Sequence, residues 1–170
     1  MDAAALSRND ISMLFLLVGS GADCERLRRR AAEMKLQNVK FLPLLDQWDF
    51  RGLLAASNIC LVTQQQSVSE IAFPSKVVTY LAAGRPILAS VNPDCEVAKV
   101  VYESGAGRVV GAEEPEALSF TLQEMRGEDS SKFGKNARRY ASLRWSSVRV
   151  LGQLERSLLA VAGSALSPVI

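Results

Sequence analysis

Residues 58–90 read NICLVTQQQSVSEIAFPSKVVTYLAAGRPILAS, and the architecture follows from the order of patterns within them. An apolar run at Asn58–Val62 precedes a polar loop, an amphipathic stretch lies between Pro74 and Gly84, and a second apolar run covers Ile87–Ser90. Short apolar runs are typical of strands covered on both faces, and Pro before a helix with Gly after it marks the helix ends. The segment therefore predicts a strand, a helix and a parallel strand.

The same alternation extends in both directions along the chain. Leu14–Val18 and Val39–Leu42 are predicted strands on the N-terminal side, and Arg108–Val110 is a predicted strand on the C-terminal side. Amphipathic stretches separate them, with Ser20 expected to cap the first and Trp48, Leu53 and Leu54 among the apolar residues of the next. The fold class is therefore α/β, a Rossmann-like parallel sheet of about five strands with helices on both faces and all carboxyl ends at one edge.

The C-terminal residues 130–170 form a predicted helical segment with a break near Trp145. Its first part is basic, and no acid is met before Glu155. The basic residues are Lys132, Lys135, Arg138, Arg139, Arg144 and Arg149. A solvated helix face and a helix lying on a membrane surface both explain this pattern.

Length and composition set limits on the class of protein. The chain has 170 residues, and a typical domain has about 100–200, so residues 1–170 are predicted to form a single domain. Hydrophobic residues make up 48%, which supports a core and argues against disorder. The net charge of +2 is too small to indicate a nucleic-acid partner, but a small anionic ligand remains compatible with it.

The spacing of the cysteines and the absence of histidine exclude several chemistries. Cys24, Cys60 and Cys95 are odd in number and widely spaced, and the chain has no His, which argues against a disulfide framework, a zinc site and His-dependent nucleophilic catalysis. The N-terminus lacks the pattern of a signal peptide, and no apolar run reaches the roughly 20 residues of a membrane span. The cytoplasm is the expected compartment.

Ligands of parallel sheets bind beyond the carboxyl ends of the strands, which selects the loops Gly19–Asp23, Pro43–Asp46 and Gln64–Ser75. Gly19, Ser20 and Gly21 form a Gly turn that invites a dinucleotide interpretation. Cys24 stands where that motif needs its third glycine, and the second strand ends without the acid that would hold a ribose. A tight strand-to-helix turn is therefore favoured.

Ser75 and Lys76 lie in the first turn of the helix after the polar loop. An anion there would gain hydrogen bonds, the Lys76 charge and the helix dipole, so the segment is a candidate phosphate cradle in which Lys76 faces inward beside Gly19 and Pro43. An ordinary helix start with both side chains in solvent explains the same residues.

The ordered segments VGSG, NVKFLP, ASNICLV and FPSKVVTYLAAGRPILAS resemble the C-terminal, nucleotide-sugar-binding half of retaining glycosyltransferases of family 4, which have the GT-B architecture. The likeness spans about Phe15 to Ala160 and is nearest to a surface-polysaccharide branch with a Pro-Ser-Lys motif. It implies a hexosyltransferase that moves a hexose or acetamido-hexose from a nucleoside diphosphate sugar to a polysaccharide or lipid-linked acceptor. No cofactor or metal is implied.

The resemblance also assigns roles to residues. It implies that the amides of Ser75, Lys76 and Val77 hold the donor diphosphate. The implied base and ribose contacts are Leu42, Pro43, Leu44, Thr79 and Glu70. The family usually carries a pair of Glu residues where this chain has Ile71 and Thr79, and a Thr hydroxyl offers a weaker hydrogen bond than a carboxylate.

A preceding strand with its phosphate-binding loop, and an N-terminal acceptor domain, are further implied partners. Trp145 and the C-terminal helix match the region that crosses to that domain. The 170-residue chain alone is therefore expected to be inactive, and the whole enzyme is expected in the cytoplasm, at the inner face of the membrane if it is peripheral. A non-catalytic interaction domain of the same fold and a dinucleotide-binding oxidoreductase fragment are the alternatives.

Overall fold

A computed structural model describes residues 1–68 and 73–165 as strands that alternate with helices. In chain order the elements are α1 (Asp2–Leu6), β1 (Phe15–Val18), α2 (Cys24–Glu33), β2 (Val39–Leu42), α3 (Gln47–Ala56), β3 (Cys60–Thr63), a 3-10 turn (Gln66–Val68), α4 (Ser75–Ala82), β4 (Ile87–Ser90), α5 (Glu96–Ser104), β5 (Gly107–Val110), α6 (Pro115–Gly127), α7 (Ser130–Trp145) and α8 (Ser147–Ala165). Each predicted strand is present, with ends shifted by two residues at most.

Every strand pairing in the described residues is parallel, as predicted. β1 pairs with β2, and β4 lies between β3 and β5, with Ile87 opposite Cys60 on one side and Gly107 on the other. The predicted fold class and its five strands are confirmed, with the strands divided between a two-stranded and a three-stranded sheet. β1 and β3 are not hydrogen-bonded to each other, so each has one edge without a ladder partner among the described residues.

One apolar cluster packs against strands of both sheets. Leu88, Leu122 and Met125 contact Phe15 of β1, Leu61 of β3 and Val110 of β5. Helix α6, which contributes Leu122 and Met125, therefore covers residues of both sheets.

The core lies around β4, whose four residues are all buried. Ile87 and Ala89 face one side and pack with residues of α4, α5 and α7, including Leu81 and Ala137. Leu88 points to the other side, against α6. Adjacent side chains of a strand point to opposite faces, so a strand with helices on both sides is apolar throughout. The predicted cover of helices on both faces is confirmed.

Local signals set the helix ends. Asp46 caps α3, since its carboxylate accepts hydrogen bonds from the amides of Trp48 at 2.8 Å and Asp49 at 2.9 Å. The predicted cap at Ser20 is wrong: α2 begins only at Cys24, preceded by Asp23. Residues 21–24 instead form a turn closed by the Cys24 amide, which donates to the Gly21 carbonyl at 2.9 Å.

The C-terminal segment is helical as predicted, and the break falls at Ser146, between α7 and α8. α8 exposes an apolar stripe, with Val148 83% exposed and Leu151 and Leu158 each 62% exposed. Among the described residues, no helix combines the length and the apolar character that a membrane crossing requires.

Candidate functional site

The loops after β1 and β2 are joined at the carboxyl edge. The Gly19 amide donates to the Leu42 carbonyl at 3.1 Å, which extends the β1–β2 ladder into the Gly turn. Gly19 has a φ of 137°, so the chain leaves the strand at a position that favours glycine. Ser20 and Gly21 are exposed beyond it, as is Pro43 on the neighbouring loop. Two of the predicted site loops are thus brought together.

The loop after β2 presents apolar surface to solvent. Leu44 and Trp48 are each 77% exposed, and the Arg51 guanidinium lies 5.6 Å from the centre of the Trp48 ring. Trp48 lies in the first turn of α3, just after the Asp46 cap, and does not belong to the buried face of the helix. Among the buried residues of α3 is Leu54.

The predicted anion cradle is the first turn of α4. The Ser75 and Lys76 side chains are exposed, whereas Val77 is completely buried in the core. The Val77 amide donates to the Pro74 carbonyl at 3.1 Å, while the amides of Ser75 and Lys76 have no hydrogen-bond acceptor among the described residues. The inward orientation predicted for Lys76 is wrong, since this residue lies open to solvent and makes no ion pair within the described chain.

Thr79 lies one turn further along α4 and is exposed. Its hydroxyl donates to the Ser75 carbonyl at 3.3 Å, so it is held against its own helix. Glu70 and Ile71, which the resemblance places near the ribose and the donor sugar, lie outside the described residues.

An aromatic cluster that the sequence did not indicate fixes the start of α4. The Trp145 ring lies 6.2 Å from the Phe73 ring and meets the Tyr140 ring edge-on at 5.5 Å. The Tyr140 hydroxyl donates to the Glu103 carboxylate at 2.7 Å, and burial, with that hydrogen bond second, raises the pKa of Tyr140. The end of α7 therefore holds Phe73, the residue that precedes Pro74. In the sequence, the feature that could have indicated this contact is Trp145 at the predicted helix break.

The edge can hold an anion. Two amides without described acceptors and one lysine stand at the start of a helix that has no acid in its first turn. The carboxylate of Asp23, at the end of the Gly turn, accepts a hydrogen bond from Nε of Arg26 at 2.9 Å. This hydrogen bond lowers the pKa of Asp23. Backbone donors and Lys76 thus face solvent at the start of α4, a geometry suited to a phosphate-containing ligand.

The fold defines a class, since it matches one part of the solved structures of GT-B glycosyltransferases. Residues 1–126 match the family described as "Glycosyl transferases group 1". This chain belongs to that family.

Relatives agree with this assignment. Over 134 residues the chain is 27% identical to "Probable glycosyltransferase WbjE" of Pseudomonas aeruginosa, a match that covers 79% of this chain and 33% of WbjE. The structure of Anabaena HepE in complex with UDP-glucose superposes with a TM-score of 0.76 at 21% identity, over 93% of this chain and 44% of HepE. WaaG, a glycosyltransferase involved in lipopolysaccharide biosynthesis, gives a TM-score of 0.67 at 20% identity, over 85% of this chain and 38% of WaaG. The chain thus spans a third to less than half of these proteins.

Proposed function

We propose that this chain is the donor-binding part of a retaining glycosyltransferase of family 4, from the surface-polysaccharide branch with a Pro-Ser-Lys motif. The complete enzyme would transfer a hexose or acetamido-hexose from a nucleoside diphosphate sugar to a polysaccharide or lipid-linked acceptor. The observation that carries the proposal is the start of α4, where the amides of Ser75 and Lys76 have no described acceptor and open at the carboxyl edge. The UDP-glucose complex of HepE, a protein of the same fold, supports the nature of the ligand.

In this proposal the donor diphosphate sits at the first turn of α4. The Ser75 and Lys76 amides donate to its oxygens, and the Lys76 ammonium stabilises the charge that develops as the diphosphate leaves. The Val77 amide is not one of these donors, because it donates to the Pro74 carbonyl. The role of Val77 in this proposal is to anchor the turn to the core through its buried side chain. The chemistry of the complete enzyme is then displacement at the anomeric carbon, with the leaving group stabilised by fixed donors.

The nucleoside occupies the neighbouring loops. The backbone of Leu42, Pro43 and Leu44 borders the base, and the exposed Trp48 offers a ring within the same loop region. Thr79 and Glu70 are the proposed ribose contacts. Since the Thr79 hydroxyl donates to the Ser75 carbonyl, it serves the ribose only as an acceptor unless it rotates away from its helix.

In the complete enzyme, further parts of the protein would pack on surfaces that are open in the described residues. The free edges of β1 and β3 suit a further parallel strand, and the exposed apolar stripe of α8 suits a packed partner, which we take to be the acceptor domain. Residues 1–170 then act as one donor-binding domain with a C-terminal helical segment from 130. The compartment proposed for the complete enzyme is the cytoplasm. A lipid-linked acceptor would bring it to the inner face of the membrane.

One observation favours a second candidate, a non-catalytic interaction domain of the same fold. Thr79 replaces an acid that the resemblance leads one to expect, and its hydroxyl is used within α4. Such a domain would keep the exposed stripe of α8 and have no use for a nucleotide.

Calorimetric titration of the chain with UDP, GDP and NAD separates these functions. We expect saturable heat with UDP or GDP and none with NAD, because the edge offers diphosphate donors but lacks the third glycine of a dinucleotide turn. Absence of nucleoside diphosphate binding would support the interaction domain and contradict our proposal. A signal with NAD alone would indicate a dinucleotide-binding fragment.

A further inference from the structure

An open cavity lies at the opposite edge of the sheet, next to the amino ends of β3 and β4. It has a volume of about 310 Å³ and is bordered by the end of α3, the turn between α4 and β4, and the start of α7. Its lining includes Ser57, Asn58, Arg85, Ser131, Lys135 and Arg138. The strands separate this cavity from the nucleotide edge, so it is no part of the site described above.

The lining is cationic. Arg85, Lys135 and Arg138 contribute positive charge, and none of the residues around the cavity is Asp or Glu. Within the described ranges, none of these cations forms an ion pair. Asp129 directly precedes Ser130 of the lining, but its carboxylate accepts hydrogen bonds from the Ser131 amide and hydroxyl, both at 2.9 Å. Those hydrogen bonds lower the pKa of Asp129, and the positive charge of Lys135 lowers it further by a smaller amount.

Arg85 carries an incompletely satisfied guanidinium. One terminal nitrogen, Nη1, donates to the Ser57 carbonyl at 3.2 Å. Its Nε is buried and has no hydrogen-bond partner in the part of the chain that the structure describes. A partly buried cation without a counter-charge is costly, and an anion in the adjoining cavity would offset that cost.

Two glycines fix the arginine on the other wall. Gly84 has a φ of 66°, and a Cβ on it would lie 2.8 Å from Cγ of Arg138, so the Arg138 side chain crosses the turn in direct contact. A Cβ on Gly134 would lie 2.7 Å from the Gly84 carbonyl oxygen, which shows how closely α7 approaches this turn. The cations on both walls are therefore attached to elements packed against each other.

We propose that this cavity binds a phosphate group, carried by a free phosphomonoester or by a lipid headgroup. The three positive charges of Arg85, Lys135 and Arg138 match the double charge and tetrahedral oxygens of a phosphomonoester better than they match a single carboxylate. Because the cavity opens to solvent, the group that carries the phosphate can extend out of it. This site is independent of the proposed nucleotide edge.

Phosphate binding to the chain is measured by NMR titration with inorganic phosphate at constant ionic strength. The test variant is Lys135→Gln with Arg138→Gln, and the matched control is Lys132→Gln with Arg139→Gln, which removes the same two charges from exposed positions of α7 outside the cavity lining. We expect saturable binding that the test variant weakens at least about tenfold and the control changes by less than about twofold. Should the double variant not fold, Lys135→Gln alone must show a smaller loss in the same direction.

A second arm identifies the source of the phosphate. Cosedimentation with phosphatidylcholine vesicles, with and without phosphatidic acid, reports on a lipid headgroup. Binding that depends on phosphatidic acid and is lost in the test variant supports a lipid source, while a variant-sensitive response to inorganic phosphate alone supports a soluble one. The proposal is overturned if neither ligand binds, or if test and control variants weaken binding equally.

Discussion

Gly107→Ala is expected to lower the free energy of unfolding by about 3 kcal/mol or more, the upper range for overpacking a core. Gly107 lies on β5 directly opposite Ile87 of the central strand. A Cβ at this position would overlap the Ile87 carbonyl group, with its carbon only 2.6 Å away. Since Ile87 is completely buried and paired on both sides, relief requires breaking part of the β4–β5 ladder.

Urea unfolding of Gly107→Ala and Gly52→Ala measures this effect. Gly52 lies exposed on α3, where a Cβ meets no atom within 4 Å, so Ala there should leave the stability unchanged or raise it by up to about 1 kcal/mol through helix propensity. Equal midpoints for Gly107→Ala and the parent chain would contradict the close packing of β4 against β5.

Lys76→Ala is expected to weaken nucleoside diphosphate binding by roughly 1–3 kcal/mol, which corresponds to roughly five- to 150-fold in affinity. The lysine is exposed at the start of α4 and makes no ion pair with any described residue, so its removal should not alter stability. Calorimetry with UDP and GDP gives the affinities.

Lys132→Ala is the matched control, since Lys132 is likewise exposed in the first turn of a helix, α7, but at the opposite edge of the sheet. It should leave nucleotide affinity unchanged. If both lysine variants lose affinity equally, the effect comes from overall charge and not from a cradle at α4.

The strands and their direction were predictable from the sequence for a local reason. β3 and β4 appear as short apolar runs because both of their faces are covered, and Pro74 and Gly84 mark the ends of α4. Parallel order then follows from the helices between the strands. The break at Ser146 was equally visible, because the apolar pattern changes phase near Trp145.

What the sequence did not predict depends on packing between distant segments. Trp48 is exposed in the first turn of α3, although its residue type suggests burial. The five strands are divided between two sheets because no ladder joins β1 to β3, and the residue pattern within a strand does not show which strands pair. The basic cavity combines Arg85 with residues of α7 some fifty positions away, which come together through packing of α7 on the turn at Gly84, where Gly134 and Arg138 lie against it.

The central claim, that the carboxyl edge binds a nucleoside diphosphate at the start of α4, is tested most directly by NMR of the ¹⁵N-labelled chain titrated with UDP. Our account predicts that the largest changes occur at the amides of Ser75 and Lys76, accompanied by Gly19 and Leu44 on the adjacent loops. Saturable binding with changes confined to the opposite edge, around Arg85 and Lys135, or no change at Ser75 and Lys76 at saturating UDP, would contradict it.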